Sequence, residues 1–417
     1  MKETNNNHFS NKAYGSKSSK YRWVVLAVYM YVAALTQLYW LNFAAIDTYV
    51  EQHLQISAMK VGLLALVFPL FFLLLSIPSG IIIDKKGYKF GVGIGAIFTG
   101  AFALLRLFNP NSFAILLISQ IGISIGQPFV LNGITKLSVS WFPKNEEATA
   151  VGLGSLSLFL GMILGLGATP ALVQSFGFEK MLLIYGITGI TSIPIFFLLT
   201  KPEPASEKTS FNEEAIPYID GIKRISKSRD FIILGFISLI GIGVFNGLVT
   251  WLEKILNEVH RISMVDAGNI SAGLVFSGMI GCIVIPMLSD KFMRRKPFLL
   301  LASVVGTISV IVLMFANGLL ANSVNAIVMG FFVVSTLPII LTMSAEIAGA
   351  KFAGISSAYL QLLGNGAAVA IVPVMEALHT LTNQYTLPLA MLAALFGLLF
   401  IIVLFIGETF KKPSNVS

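Results

Sequence analysis

The chain has 417 residues, 56% of them hydrophobic and 12% charged, with a mean hydropathy of +0.83. Soluble domains carry about 25% charged residues, so this composition excludes an ordinary soluble protein and points to a chain that crosses a membrane many times. The net charge of +8 raises the question of a nucleic-acid partner, while the single cysteine, Cys282, excludes an intramolecular disulfide and any multi-cysteine metal site.

The first 22 residues, MKETNNNHFSNKAYGSKSSKYR, are polar and lack the apolar core of a signal peptide. They are expected to form a disordered cytoplasmic tail, 1–22. A spanning helix needs roughly 20 apolar residues. Six such segments follow at approximately 23–50, 57–83, 88–107, 113–141, 145–175 and 180–200. A charged stretch, 201–229, interrupts them. Six more lie at approximately 230–258, 266–287, 297–316, 322–345, 351–378 and 384–408, before a short tail at 411–417. The expected organisation is an all-α membrane protein of twelve transmembrane helices. An N-terminal six-helix bundle (23–200), a cytoplasmic central loop (201–229) and a C-terminal six-helix bundle (230–410) make it up.

Lys and Arg set the orientation. With the amino terminus inside, 22 of the 28 fall in the tails and the loops on that side. Positive residues stay cytoplasmic, so both termini are expected inside and the protein is expected in the cell membrane. The excess charge then needs only an anionic inner leaflet, and no nucleic acid is implied.

Two turns on that side look alike. GIIIDKKGYK runs from Gly80 to Lys89 and PMLSDKFMRR from Pro286 to Arg295; aligning Asp84 with Asp290 gives an offset of 206. The first resembles the G-x-x-x-D-(R/K)-x-G-(R/K) loop of the major facilitator superfamily, through Gly80, Asp84, Lys85, Gly87 and Lys89. A carboxylate there pairs with nearby cations and a helix terminus and so latches one conformation. The second copy is degenerate, with Pro286 in place of the Gly. The resemblance implies the major facilitator fold, two pseudo-symmetric bundles with a substrate site between them near mid-membrane. Glycines crowd the third segment (Gly91, Gly93, Gly95, Gly100) and the fifth (Gly152, Gly154, Gly161, Gly165, Gly167), which reads as close helix packing. No P-loop or G-x-G-x-x-G follows a strand, which argues against ATP-driven transport.

Polar groups at membrane depth are costly and functional by default. Trp40, Gln127, the Phe245–Asn246 pair and Gln361 lie near the middle of their segments. The repeat offset carries Trp40 onto Asn246 and Asp47 onto Glu253. Seven residues is nearly two turns, so Trp40 and Asp47 are expected on one face of one helix, about 10 Å apart along its axis, and likewise Asn246 and Glu253. That pattern predicts an inner ring of aromatic and amide groups and an outer ring of two carboxylates. Such a path draws cations, which aromatic faces then hold. Plainer readings stand beside it. Trp40 also reads as an interfacial anchor, although it lies some 17 residues into its segment, deep for a belt residue. Asp47 and Glu253 equally mark where two helices meet outer water, with Lys254 neutralising Glu253. Gln127 and Gln361 also read, less strongly, as interhelical hydrogen-bond glue. Arg106 is expected to snorkel at the outer end of its helix. Lys136 and Glu346 are expected in inner-gate ion pairs. His8, His53, His260 and His379 fall in tails or outer loops, so no histidine relay, metal site or cofactor is expected. No Ser/His or His/carboxylate constellation sits at membrane depth, which argues against an enzyme.

A narrower resemblance rests on RWVVL (Arg22–Leu26), Trp40 in its helix, QPFVL (Gln127–Leu131), SVSWF (Ser138–Phe142), EATAV (Glu147–Val151), AEI (Ala345–Ile347) and GISSAYLQLLG (Gly354–Gly364). Over roughly 21–407 the chain resembles the feline leukaemia virus subgroup C receptor family, as a bacterial relative. Animal members of that family transport choline and ethanolamine. The resemblance implies a ligand cavity lined by Trp40, Gln127 and Gln361. It places a family Tyr at Phe245 or Asn246, where the hydroxyl is absent. Asp47 and Glu253 fall where the animal proteins have Asn. The expected function is alternating-access transport of a small organic cation by a monomer, with that cation and the bilayer as partners. Proton-coupled efflux through Asp47 or Glu253, and a membrane receptor that binds without transport, are the competing functions.

Overall fold

The structure, a computed structural model, describes residues 20–201, 218–349 and 352–410. The expectations for residues 1–19, 202–217 and 411–417 lie outside these. Among the described residues, twelve helices are long and apolar enough to cross a membrane. In chain order, spans 1 to 6 are Tyr21–Leu41, Ala58–Lys86, Tyr88–Leu105, Phe113–Trp141, Lys144–Phe176 and Phe178–Leu199. Spans 7 to 12 are Arg229–His260, Met264–Phe292, Lys296–Phe315, Leu319–Ala348, Ala353–Thr382 and Thr386–Phe405. The end of each span on the side where span 1 begins is called the near end, and the opposite one the far end.

Several links are too tight for an ordinary residue. Gly87 joins spans 2 and 3 at φ 86°, and Gly177 joins spans 5 and 6 at φ 84°. A Cβ is disfavoured at both. Ser228 and Ser263 begin spans 7 and 8 as side-chain N-caps, accepting from Phe231 N and Asp266 N.

Span 1 is shorter than its apolar run. The sequence predicts one helix over 23–50, yet the helix stops at Leu41. A 3-10 turn over Ala44–Ile46 follows, closed by Ile46 N–H donating to the Phe43 carbonyl at 3.1 Å. A separate short helix, Asp47–Leu54, comes next. Asn42 lies at the break. Asn is a weak helix former, and here its side chain is fully buried with neither polar atom hydrogen-bonded among the described residues. Ile46 leaves helical geometry at φ −135°, ψ 31°. Trp40 and Asp47 therefore do not share a helix face, and the expected symmetry with Asn246 and Glu253, which stay on one helix, is broken.

Contacts divide the chain into two compact units, which are not its two halves. The first takes in Met1–Trp40, Leu74–Gly161 and Phe176–Ala215. Its core joins Val25, Tyr29 and Val32 of span 1, Val92 and Ala96 of span 3, Val130, Ile134 and Trp141 of span 4, and Phe196 of span 6. Spans approach closely where glycine removes a side chain. A Cβ at Gly100 would lie 2.8 Å from the Gly189 carbonyl oxygen of span 6, and one at Gly126 would lie 2.9 Å from the Gly95 oxygen. In a bilayer such packing replaces the hydrophobic drive that water supplies. Span 4 has a joint. Pro128 offers no N–H, and the helix is interrupted at Asn132, between Phe113–Leu131 and Gly133–Trp141. Asn132 Nδ2 donates to the Ser76 carbonyl at 2.8 Å and to Ser79 Oγ at 2.9 Å. Asn132→Ala is expected to lower stability by about 1–3 kcal/mol, read as the melting temperature in detergent. An unchanged melt would mean that the amide holds nothing.

The second unit takes in Leu41–Leu73, Met162–Ser175 and Ile216–Ser417. In it the far-end parts of spans 2 and 5, with the 42–57 segment, pack on the chain's second half. Trp251 of span 7 is the central wedge, with no exposed surface. Its indole N–H donates to the Val372 carbonyl of span 11 at 3.2 Å. Its ring lies where a Cβ on Gly62 of span 2 would stand, 2.8 Å from the nearest ring atom. Gly268 of span 8 lets the Leu166 carbonyl of span 5 come within 2.6 Å of a would-be Cβ. Span 10 also has a joint, a π-helical turn over Gly330–Val334 between Leu319–Met329 and Thr336–Ala348.

Candidate functional site

The expected cavity residues divide between the units. Trp40 and Gln127 belong to the first, and Phe245, Asn246 and Gln361 to the second. Trp40 is 9% exposed in the last turn of span 1. Gln127 is 5% exposed, directly before Pro128. Its side-chain amide has no hydrogen-bond partner among the described residues. The helix-glue reading of Gln127 is thereby weakened, because glue bonds a neighbour. Asn246 is buried and turns its amide back to the Ile242 carbonyl of its own helix at 3.0 Å. Phe245 and Gln361 are half-buried.

Behind Trp40 lies a buried polar network in the first unit. Gln120 Nε2 donates to the Tyr39 carbonyl at 3.0 Å, and Arg106 donates to Gln120 Oε1 at 2.8 Å. The Arg106 guanidinium also sits over the Tyr39 ring, 5.0 Å from its centroid. Tyr39 donates its hydroxyl to the Tyr185 carbonyl at 2.7 Å. Arg106 is fully buried. The snorkelling expectation is overturned: the side chain turns inward because an amide and an aromatic face receive its charge there. The sequence offered one sign of this, an Arg at the end of an apolar run.

The second unit holds a denser cluster at its far end. Asp47 has no exposed surface and Glu253 is 1% exposed, so neither marks a helix meeting water. Glu253 accepts from both the backbone N–H and the hydroxyl of Thr48, each at 3.1 Å, which brings it beside Asp47. Lys254 does not neutralise its sequence neighbour by an ion pair. Its ammonium bonds Glu51 and lies 3.8 Å from both Asp47 and Glu258. His379 stands 3.3 Å from Glu258 and 3.9 Å from Glu376, with its ring stacked on Tyr385 at 4.2 Å. Five carboxylates thus meet one ammonium and one imidazole. Like charges crowded together repel, and here the carboxylates outnumber the cations beside them. Both oxygens of Asp47, one each of Glu253 and Glu376, and the Tyr385 hydroxyl lack a hydrogen-bond partner. Burial pushes the Asp47 carboxyl well above the usual range. Lys254 opposes that shift, and Glu253, Glu51 and Glu376 add to it.

Glu51, Glu258, Glu376, His379 and Tyr385 were not singled out from sequence as site residues. They sit at the ends of three helices and in one link, where charged residues ordinarily face water. The signal available was the number of carboxylates crowded near far ends with so few cations.

At the near end, the first gating turn is not closed by its carboxylate. Asp84 is exposed and has no ion pair among the described residues; Lys85 is exposed too. Lys89 instead donates to the Thr200 carbonyl at 2.6 Å, and Tyr88 to the Lys201 carbonyl at 2.7 Å, which ties the turn to the end of span 6. Gly80 has open space where a Cβ would stand. The degenerate copy is the knotted one. Arg295 binds Asp290, reaches Ser289 Oγ at 3.0 Å and pairs with Glu346 at 3.1 Å. Glu408 caps the Arg295 N–H. Glu346 is therefore held within its own half, and Lys136 has no ion pair among the described residues.

Residues 26–373 match the Major Facilitator Superfamily. An uncharacterised MFS-type transporter of Caenorhabditis elegans is 26% identical over 386 residues, covering 87% of this chain and 66% of the worm protein. The human choline/ethanolamine transporter FLVCR2 is 23% identical over 366 residues, 83% of this chain and 70% of that protein. The chain thus spans about two thirds of the length of these relatives. Among solved structures, an inward-facing bacterial homolog of the human lysosomal transporter Spinster superposes with a TM-score of 0.71 at 17% identity, covering 93% of this chain and 95% of that one. That likeness shows a shared fold, and the relatives point to transport rather than enzymatic chemistry. With twelve spans, a match over most of its length and a fold shared with a solved transporter, this chain belongs to the Major Facilitator Superfamily.

Proposed function

We propose that this protein moves a small organic cation of the choline or ethanolamine kind by alternating access. It works as a monomer in the cell membrane with both termini cytoplasmic. Two six-helix bundles, 23–200 and 230–410, rock about a central site. Trp40 and Phe245 enclose the ammonium group, where a desolvated cation–π contact is worth about 2 kcal/mol. Gln127, Gln361 and Asn246 serve the polar end of the substrate. The observation that carries this reading is Gln127. Gln127 is 5% exposed and bonds no described residue, and its amide atoms are not sealed from solvent, so they border space that a ligand or water can fill. Its setting beside Pro128 at a joint of span 4 supports a binding role. Similarity to a human protein named as a choline/ethanolamine transporter supports the substrate class.

Proteoliposomes are expected to accumulate radiolabelled choline or ethanolamine above empty vesicles. Trp40→Ala should reduce uptake at low substrate by ten-fold or more, while Trp40→Phe retains part of it. Wild-type uptake no better than that of empty vesicles, for both compounds, would overturn the substrate reading.

A further inference from the structure

The far-end cluster has more charge than its cations answer, and one member is placed as an acceptor. Asp47 begins the short helix 47–54, has no exposed surface, and makes no hydrogen bond through either oxygen. Lys254 of span 7, its only ion-pair partner among the described residues, lies 3.8 Å away and spends its close contact on Glu51. The other titratable groups that bear on Asp47 are Glu253 of span 7, Glu51 of its own helix and Glu376 of span 11, all acidic. Beyond them stand Glu258 and His379. A second group is also unanswered. The Tyr385 hydroxyl is buried and unpartnered, on a ring stacked against His379.

The cluster is graded from one side. Glu51 and Glu258 have side chains 33% and 38% exposed, whereas those of Asp47 and Lys254 are 1% and 2% exposed. Phe43, Ala44, Ala45 and Ile46 close the chain segment leading to Asp47, none more than 3% exposed. The exposed carboxylates of Glu51 and Glu258 thus stand between Asp47 and the far face.

We propose that Asp47 is a proton-binding site filled from the far face, and that the far-end cluster closes around the protonated carboxyl. The proton arrives and leaves on one side, so it gates the far side and does not cross with substrate. Carboxylate repulsion opens the cluster when that proton is lost. Burial, which favours the neutral acid, acts in the same direction. The inference rests on the transporter reading only for calling the far face external; its test needs no substrate.

In a Cys282→Ser background, Ala58→Cys places a thiol on the face of span 2 shared with Gly62, which packs on Trp251. Ala58 is 5% exposed. Gln52→Cys, at an exposed position, serves as the reference for the intrinsic pH dependence of labelling. Reconstituted protein is labelled with a membrane-impermeant maleimide while external and internal pH are varied separately from about 5.5 to 8.5. The Ala58→Cys rate relative to the reference is expected to rise about ten-fold with external pH and to ignore internal pH. Adding Asp47→Asn should hold it at the low-pH level throughout. A ratio that is flat, that follows internal pH, or that keeps its dependence in Asp47→Asn overturns the proposal. Melting in detergent gives a second readout. An acid whose value is raised by folding adds stability at low pH and loses it as pH rises through that value. The wild-type melting temperature should therefore fall with pH more steeply than that of Asp47→Asn, and parallel curves would count against the site.

Discussion

Lys254→Met is expected to cost roughly 3–5 kcal/mol of stability near neutral pH, because it leaves buried carboxylates without their counter-ion. The side chain is 2% exposed, and its ammonium is the only one paired with Asp47, Glu51 and Glu258 among the described residues. Methionine keeps the length and removes the charge, so the loss reports electrostatics rather than a cavity. The melting temperature in detergent measures it. Lowering the pH should shrink the deficit, since protonated carboxyls no longer need the ammonium. Adding Asp47→Asn should return part of the loss, since neighbours in one network do not act additively. A Lys254→Met protein that melts with the wild type at every pH would show that the cluster is already neutral without its lysine.

Trp251→Ala should cost about 3–5 kcal/mol by a different route. The ring is fully buried and occupies the space left by Gly62, while its N–H holds the Val372 carbonyl. Removing it opens a cavity where spans 2, 7 and 11 meet and loses the indole bond to span 11. The same geometry predicts a partial cure. Gly62→Leu alone should destabilise, because its Cβ would meet the ring at 2.8 Å, and the pair Gly62→Leu with Trp251→Ala should melt above either single variant. Additive losses in the double variant would mean that the two residues do not share this space.

The spans were legible because each is a long apolar run with polar punctuation, and lipid leaves a chain few alternatives to helix. The glycines of span 3, with Gly154 and Gly161 of span 5, read correctly as places of close approach, whereas Gly152 has open space where a Cβ would stand. The break after Leu41 was hidden, since Asn42 and Phe43 sit inside a run that is apolar enough to continue; only the backbone shows that it turns there. The partners of Lys254 and Arg106 were hidden for a related reason. Glu51 precedes Lys254 by 203 positions, and Gln120 follows Arg106 by 14, beyond the reach of helical spacing. Lys254 stands next to Glu253, yet on a helix adjacent residues point apart. Asp47 and Glu253 were singled out together by a repeat offset, and Thr48 brings them together in space although one of the two helices breaks. The second gating turn was recognised as a degenerate copy through Asp290, but the knot of ion pairs that Arg295 forms there was not.

The joints in spans 4 and 10 have a mechanical consequence. Adding the repeat offset to Asn132 reaches position 338, a few residues beyond the π-turn at Gly330–Val334. Each half of the chain therefore carries a discontinuity at nearly the same level of its fourth helix, made in one case by a proline and an amide and in the other by an extra residue in the turn. A straight rod passes displacement whole from end to end, whereas a jointed one lets each piece answer to its own neighbours. Gly133–Trp141 and Thr336–Ala348 are thus separate lengths of helix, each set by the contacts of its own stretch rather than by one continuous rod.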